Sequence, residues 1–179
     1  MNNLSNYILE KLKIDKNTKY HNYRFEPKTK AELISLIENR IKEDGNNVDL
    51  NDINLKNITD ISGLFTKSNL SDFNGDISEW DVRNVEYMRY AFEGSKFNGD
   101  ISKWDVSNVI DMQGMFRLSN FNGDISKWDV NNVTDMESMF EYSKFSGDIS
   151  SWDVKNVKNM KHMFKHSPLV RKKPIWYHE

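Results

Sequence analysis

The chain has 179 residues, a formal net charge of −2 and no cysteine. That length suits one domain with a sizeable core. The balance of charge excludes a global electrostatic pull toward nucleic acid or membrane, and the missing thiols exclude a disulfide framework and cysteine chemistry.

Residues 1–45 lie outside the periodic part and are predicted to form a helical N-terminal cap. Leu4, Ile8, Leu9 and Leu12 suggest a first short amphipathic helix, followed by a loop with Asn17, His21, Asn22 and Pro27. Thr29 with Glu32 makes a capping box ahead of Leu33, Ile34, Ile37 and Ile41, and Gly45 supplies a stop. The start MNNLSNYILEKLKID has no apolar signal region, and no run reaches the length of a membrane span, so the sequence-based expectation is a cytoplasmic protein.

Residues 46–168 are periodic. One 24-residue unit is written four times over 73–168, opening FNGDISEWDV, FNGDISKWDV, FNGDISKWDV and FSGDISSWDV. Residues 46–72 are a worn copy in which Ile53 takes the Trp place, Asn57 the Asn place and Phe65 the Phe place, and the following connection TKSNLSD is three residues longer than its counterparts. A period in this range predicts stacked units with a shared core, and atypical terminal copies.

Within each unit Trp80 and Val82 alternate about Asp81, which predicts a short strand. Val85, Met88 and Phe92 fall at i, i+3 and i+7, which predicts a two-turn helix with Asn84 as its cap. Asn108 with Asp111 and Asn132 with Asp135 approach a capping box. The fold class expected is therefore α/β, a leucine-rich-repeat-like solenoid of one short strand and one short helix per coil. Trp80, Trp104, Trp128 and Trp152 would make one inward column, and Phe92, Phe116, Phe140 and Phe164 another. Each buried indole N–H needs an acceptor, and the Ser and Asp of the DIS segment are nearest in sequence. The tail, 169–179, reads as leaving the period at Pro168 and Pro174; Ile175, Trp176 and Tyr177 are expected as a lid, or Trp176 as a protruding anchor.

Candidate partner-binding residues come from the outward columns. Asp81, Asp105, Asp129 and Asp153 recur unchanged; beside them run Glu79, Lys103 and Lys127, then Arg83, Asn131 and Lys155. Stacked carboxylates need hydrogen bonds, neighbouring cations or a cationic partner to offset their repulsion. After Asp153 no acid appears until Glu179, while Lys155, Lys158, Lys161, Lys165, Arg171, Lys172 and Lys173 all fall between. Such a run is either a solvated face or a surface for an acidic protein or a phosphate backbone. His162 and His166 stand four apart, yet with no Cys and few other imidazoles they read as solvated, not as metal ligands. No catalytic set, cofactor motif or metal site stands out from the periodic Ser and Asp.

The GDIS, WDV and NV segments in register over 46–168 resemble the BspA-like leucine-rich repeats, in particular the Mycoplasma-lipoprotein type of bacterial surface proteins. The resemblance implies a strand-plus-helix solenoid that binds other molecules and brings no catalytic residues. This chain departs from surface members in having neither a signal peptide nor a lipoprotein cysteine. Two functions are expected on this reading. The first is a non-enzymatic protein-binding module, a small intracellular leucine-rich-repeat solenoid. The second is a phage or mobile-element inhibitor of a host nucleic-acid-associated defence complex, anti-CRISPR-like, acting through the basic C-terminal end. The partner would be a protein, or a nucleic acid or nucleoprotein at the basic end; no membrane and no cofactor is expected.

Overall fold

The computed structural model describes residues 23–66 and 70–178. The first predicted helix, with Leu4, Ile8, Leu9 and Leu12, lies outside the described residues, as do Asn17, His21 and Asn22.

Helix α1 spans Lys30–Asp44. Thr29 holds its start: the hydroxyl oxygen accepts the Glu32 N–H at 3.2 Å, and the Glu32 carboxylate accepts the Lys28 N–H at 2.7 Å. Gly45, at φ 85°, ends it by donating its N–H to the Ile41 carbonyl. Leu33 and Ile37 are wholly buried and join the core of the periodic part.

The 24-residue copies lie on one another as layers, with the same atoms meeting at each boundary. Phe92, Phe116, Phe140 and Phe164 stack at 5.6, 5.8 and 6.0 Å between centroids. Phe97, Phe121 and Phe145 form a second column at 6.3 and 6.2 Å, and Phe116 meets Phe121 at 4.3 Å where the two columns interleave. The worn copy belongs to the same stack, since Phe65 lies 5.1 Å from Phe92. One apolar cluster runs from Leu33 in α1 to Tyr177 in the tail, with Met88, Met112, Met136 and Met163 filling it.

The expected α/β leucine-rich-repeat solenoid is overturned at the level of its units. Among the described residues α1 is the one α-helix, and the sheet-like pairing of neighbouring layers is limited to isolated one-residue bridges. The main column of bridges runs Asp60, Tyr87, Asp111, Asp135, Asn159, through positions assigned to the helix. The physical reason lies in where the N–H groups go. Ala91, Glu93 and Ser95 donate three residues back, to Met88, Tyr90 and Phe92. Met88, Tyr90, Phe92 and Gly94 donate instead to Asp111, Gln113, Met115 and Arg117 in the next layer. An α-helix needs every such donor inside its own segment; here half are exported. Left-handed backbone at Tyr90 (φ 55°), Gly94 (φ 64°), Leu118 (φ 58°) and Tyr142 (φ 56°) breaks the helical handedness as well.

The expected strand fails for a related reason. Trp80 donates back to Ile77 and Val85 to Val82, so WDV is bracketed by turns and forms a corner. Asp76 and Asp81 accept the N–H groups of Ser78 and Arg83, closing those turns with side chains where a strand would use a ladder.

Two smaller expectations change. The indole N–H groups of Trp104, Trp128 and Trp152 donate to the carbonyls of Ile77, Ile101 and Ile125 in the preceding layer, at 3.0–3.1 Å, not to Ser or Asp side chains. The tail also keeps the period. Trp176 stacks 6.4 Å from Trp152 and donates to the Ile149 carbonyl in the same way, while Leu169 occupies the Phe place, 6 % exposed. Pro168–Arg171 is a short 3-10 turn at the entry to this partial sixth layer.

Candidate binding groove

The asparagines expected as helix caps do another job. Asn84, Asn108, Asn132 and Asn156 each donate an amide N–H to a backbone carbonyl one layer back, those of Lys56, Arg83, Ser107 and Asn131, at 2.7–2.8 Å. Asn57 does the same to the Pro27 carbonyl at 3.4 Å. These side chains are exposed and recur once per layer.

Asn57, Asn84, Asn108 and Asn132 line a groove of about 740 Å³ that crosses four layers. Lys56 and Arg83, each just before an asparagine in the chain, and Thr59, Glu86 and Ile110, each two residues after one, complete the lining. The groove thus has repeated acceptors, one acid, two bases, a hydroxyl and one exposed aliphatic side chain. Its volume falls in the range of small-molecule and cofactor sites, but its lining is more polar than most.

Asp76, Asp100, Asp124, Asp148 and Asp153, which close turns, have depressed pKa values. At Asp124 and Asp148 the N–H groups of Ser126 and Ser150, then their hydroxyls, hold the carboxyl below its ordinary value. At Asp153 the Lys155 side chain does so first. A carboxyl held lower in the folded than in the unfolded chain contributes stability above the unfolded value and loses it as the pH falls through the folded one. Chemical denaturation should therefore give a flat stability from neutral pH to about pH 5 and a progressive fall below about pH 4. Asp124→Asn with Asp148→Asn should flatten that fall, and an unaltered acid limb would count against these turns as its source.

A protein-family model described as "Mycoplasma protein of unknown function, DUF285" matches residues 35–142 and again 111–175. The chain belongs to that family. The resemblance to BspA-like leucine-rich repeats is corrected accordingly: the matched family is this one, and among the described residues its layers hold no strand and no α-helix. No curated protein and no solved structure matches the chain. Both expected functions, the protein-binding leucine-rich-repeat solenoid and the phage inhibitor of a defence complex, lose their footing. The strand-and-helix scaffold of the first is absent among the described residues, and the family description carries no function for either.

The structure divides the sequence-predicted site residues among several places. Arg83 lines the groove, and its guanidinium also meets the Asp81 carboxylate at 2.6 Å. Glu79, Asp81, Lys103 and Asp105 line a second cavity of about 340 Å³ together with Tyr23; Lys103 lies 3.4 Å from Glu79. Lys127 lies in a small cavity with Asp124. In the Asp column each carboxylate accepts the N–H two residues on: Arg83 for Asp81, Ser107 for Asp105, Asn131 for Asp129 and Lys155 for Asp153.

The basic run is split. Lys172 and Lys173 line a cavity of about 320 Å³ with Asp148 and Ile149, on the turn that opens the last full layer, and Arg171 precedes them in the 3-10 turn. Lys158, Lys161 and Lys165 belong to the turns that close that layer, and Lys165 reaches Glu141 at 3.8 Å. Lys155 pairs with Asp153 at 2.9 Å. Trp176 is half-buried in its column, and Ile175 beside it is 92 % exposed. His166 stacks on Tyr142 at 4.4 Å. Among the described residues no cluster of acids and imidazoles could hold a metal ion, and no helix is long and apolar enough to cross a membrane.

Sequence reasoning missed Asn57, Thr59, Asn84, Glu86, Asn108, Ile110 and Asn132 as groove residues. The signal available was an unvarying Asn beside a column that changes in every copy: Thr59, Glu86, Ile110, Thr134, Lys158.

Proposed function

We propose that this chain is a non-catalytic receptor that holds a linear oligosaccharide along the asparagine groove. The observation that carries the reading is the exposed Asn side chain repeated once per layer and lining one groove across four layers. One N–H of each amide is committed to the backbone, which leaves the carbonyl oxygen and the second N–H of each Asn for a ligand whose groups both donate and accept at regular spacing. A polyphosphate, rich in acceptors itself, would face those oxygens and the Glu86 carboxylate unfavourably.

Spacing separates the remaining candidates. Hydrogen-bonded neighbouring backbones lie about 4.8 Å apart, whereas an extended peptide rises about 3.3 Å per residue, so a peptide along the stack falls out of step within two layers. A pyranose unit is close to one layer in length. Its hydroxyls both donate and accept, which suits Asn oxygens flanked by Lys56 and Arg83, and its apolar face suits Ile110. Non-catalytic action is supported by the repeated carboxylates, whose oxygens take the turn N–H groups and are thereby accounted for structurally.

The test is titration of the purified chain with neutral linear oligosaccharides of increasing length, followed by calorimetry and amide chemical shifts. Affinity should rise with length until the ligand spans the groove, with shifts centred on Asn84, Asn108 and Asn132. Ile110→Trp, placed on an exposed position, should block binding without unfolding the protein. Absence of binding at every length, or shifts mapping to the opposite face, would overturn the reading.

A further inference from the structure

We propose that the exposed edge of the last full layer receives an extended acidic segment of a partner protein, at a place separate from the groove. In the layer before it, Met136, Ser138, Phe140 and Tyr142 donate to the carbonyls of Asn159, Lys161, Met163 and Lys165 at 2.8–2.9 Å. One layer on, the equivalent donors are the N–H groups of Met160, His162, Phe164 and His166, and these meet no acceptor among the described residues. Phe164 is wholly buried, with the Tyr177 ring 4.9 Å away. Met160 and His162 are half-buried and His166 is exposed, so the open donors flank the buried one.

A row of unmet backbone donors is a template for another chain. The donors within reach, at Met160, His162 and His166, keep an alternate-residue register with the buried Phe164 left unpaired between them, and an extended segment offers carbonyls to one side in the same register, so the two match as in strand addition. The side chains specify the charge. On the outer row of the inner layers Arg117 sits between Glu93 and Glu141, with an acid on each side. Lys165, next along that row, has Glu141 on one side only. Lys161 has no ion-pair partner among the described residues and is exposed. A segment pairing with the edge would bring its side chains to both lysines, and carboxylates there complete the alternation seen inside the stack. Backbone donors on alternate residues fit a carbonyl ladder better than they fit a phosphate chain.

The experiment uses the whole chain and two labelled peptides, one alternating Glu with Val and one alternating Lys with Val, read by fluorescence anisotropy and amide hydrogen exchange. The acidic peptide should bind, and exchange at His162 and His166 should slow by about tenfold or more. Lys161→Glu with Lys165→Gln should weaken binding roughly tenfold, with tryptophan fluorescence unchanged and melting lowered only by loss of the Lys165–Glu141 pair. Lys161→Ala alone should weaken it less and serves if the double variant fails to fold. Equal binding of the lysine peptide, or binding without protection of those two amides, would overturn the proposal. So would displacement by an oligonucleotide, or self-association through this edge seen by sedimentation without peptide.

Discussion

Phe116→Ala is expected to lower the stability of the protein by about 3–5 kcal/mol, measured as a shift of the urea midpoint. The ring is wholly buried and touches four others, at 5.6 Å (Phe92), 4.3 Å (Phe121), 5.8 Å (Phe140) and 6.3 Å (Trp128). Its backbone N–H donates to Met139, and its carbonyl accepts both N–H and hydroxyl of Ser119. Those bonds survive the substitution and hold the walls in place, so the cavity cannot close and the cost falls toward the upper end of the range. Leu118, two residues on and 50 % exposed, supplies the control. Leu118→Ala should change stability by less than about 0.5 kcal/mol. Equal costs at the two positions would mean that the ring columns are not what holds the layers together.

Gly75→Ala should be nearly as damaging, at about 3 kcal/mol or more, for a different reason. Gly75 is absent from the residues with positive φ; what it supplies is room. A Cβ there would stand 2.0 Å from the Val48 carbonyl oxygen and 2.9 Å from the Asn47 carbonyl carbon, both in the preceding layer's backbone. Neither can step aside. Asn74 donates to Asn46 at 2.8 Å and Asp76 to Val48 at 3.2 Å, which clamps the two layers on both sides of the glycine. A methyl group must therefore prise the first layer from the second. At Gly94 nothing lies within 4 Å of such a Cβ, although φ is 64°. Gly94→Ala should consequently cost only the left-handed penalty of about 1 kcal/mol. A Gly75→Ala variant as stable as Gly94→Ala would show that the first two layers are not in this close contact.

Much of the stack was legible in the letters. The period put Phe92, Phe116 and Phe140 in register, and Thr29, Glu32 and Gly45 bounded α1. Local conformation was not legible, because Val85, Met88 and Phe92 at i, i+3 and i+7 fit an inward stripe of a helix and an inward stripe of linked turns equally well. What separates the two is the destination of the Tyr90 and Gly94 N–H groups, which depends on the neighbouring layer and not on the segment itself. The tail was misread although the information was present: Leu169 and Trp176 stand 24 residues after Phe145 and Trp152. Leu in the Phe place and two prolines hid the arithmetic. The groove was hidden more deeply, since an Asn before an apolar run reads as a cap until its amide is seen reaching into another layer.

The alternating row Glu93, Arg117, Glu141, Lys165 has a bearing on how such a chain can gain or lose copies. Removing one 24-residue unit between Glu93 and Glu141 would set two acids face to face, and removing the next would set Arg117 against Lys165. Excising both together would restore opposite signs, with Glu93 meeting Lys165. Growth and shrinkage in pairs keep this row neutral; single steps leave an electrostatic scar.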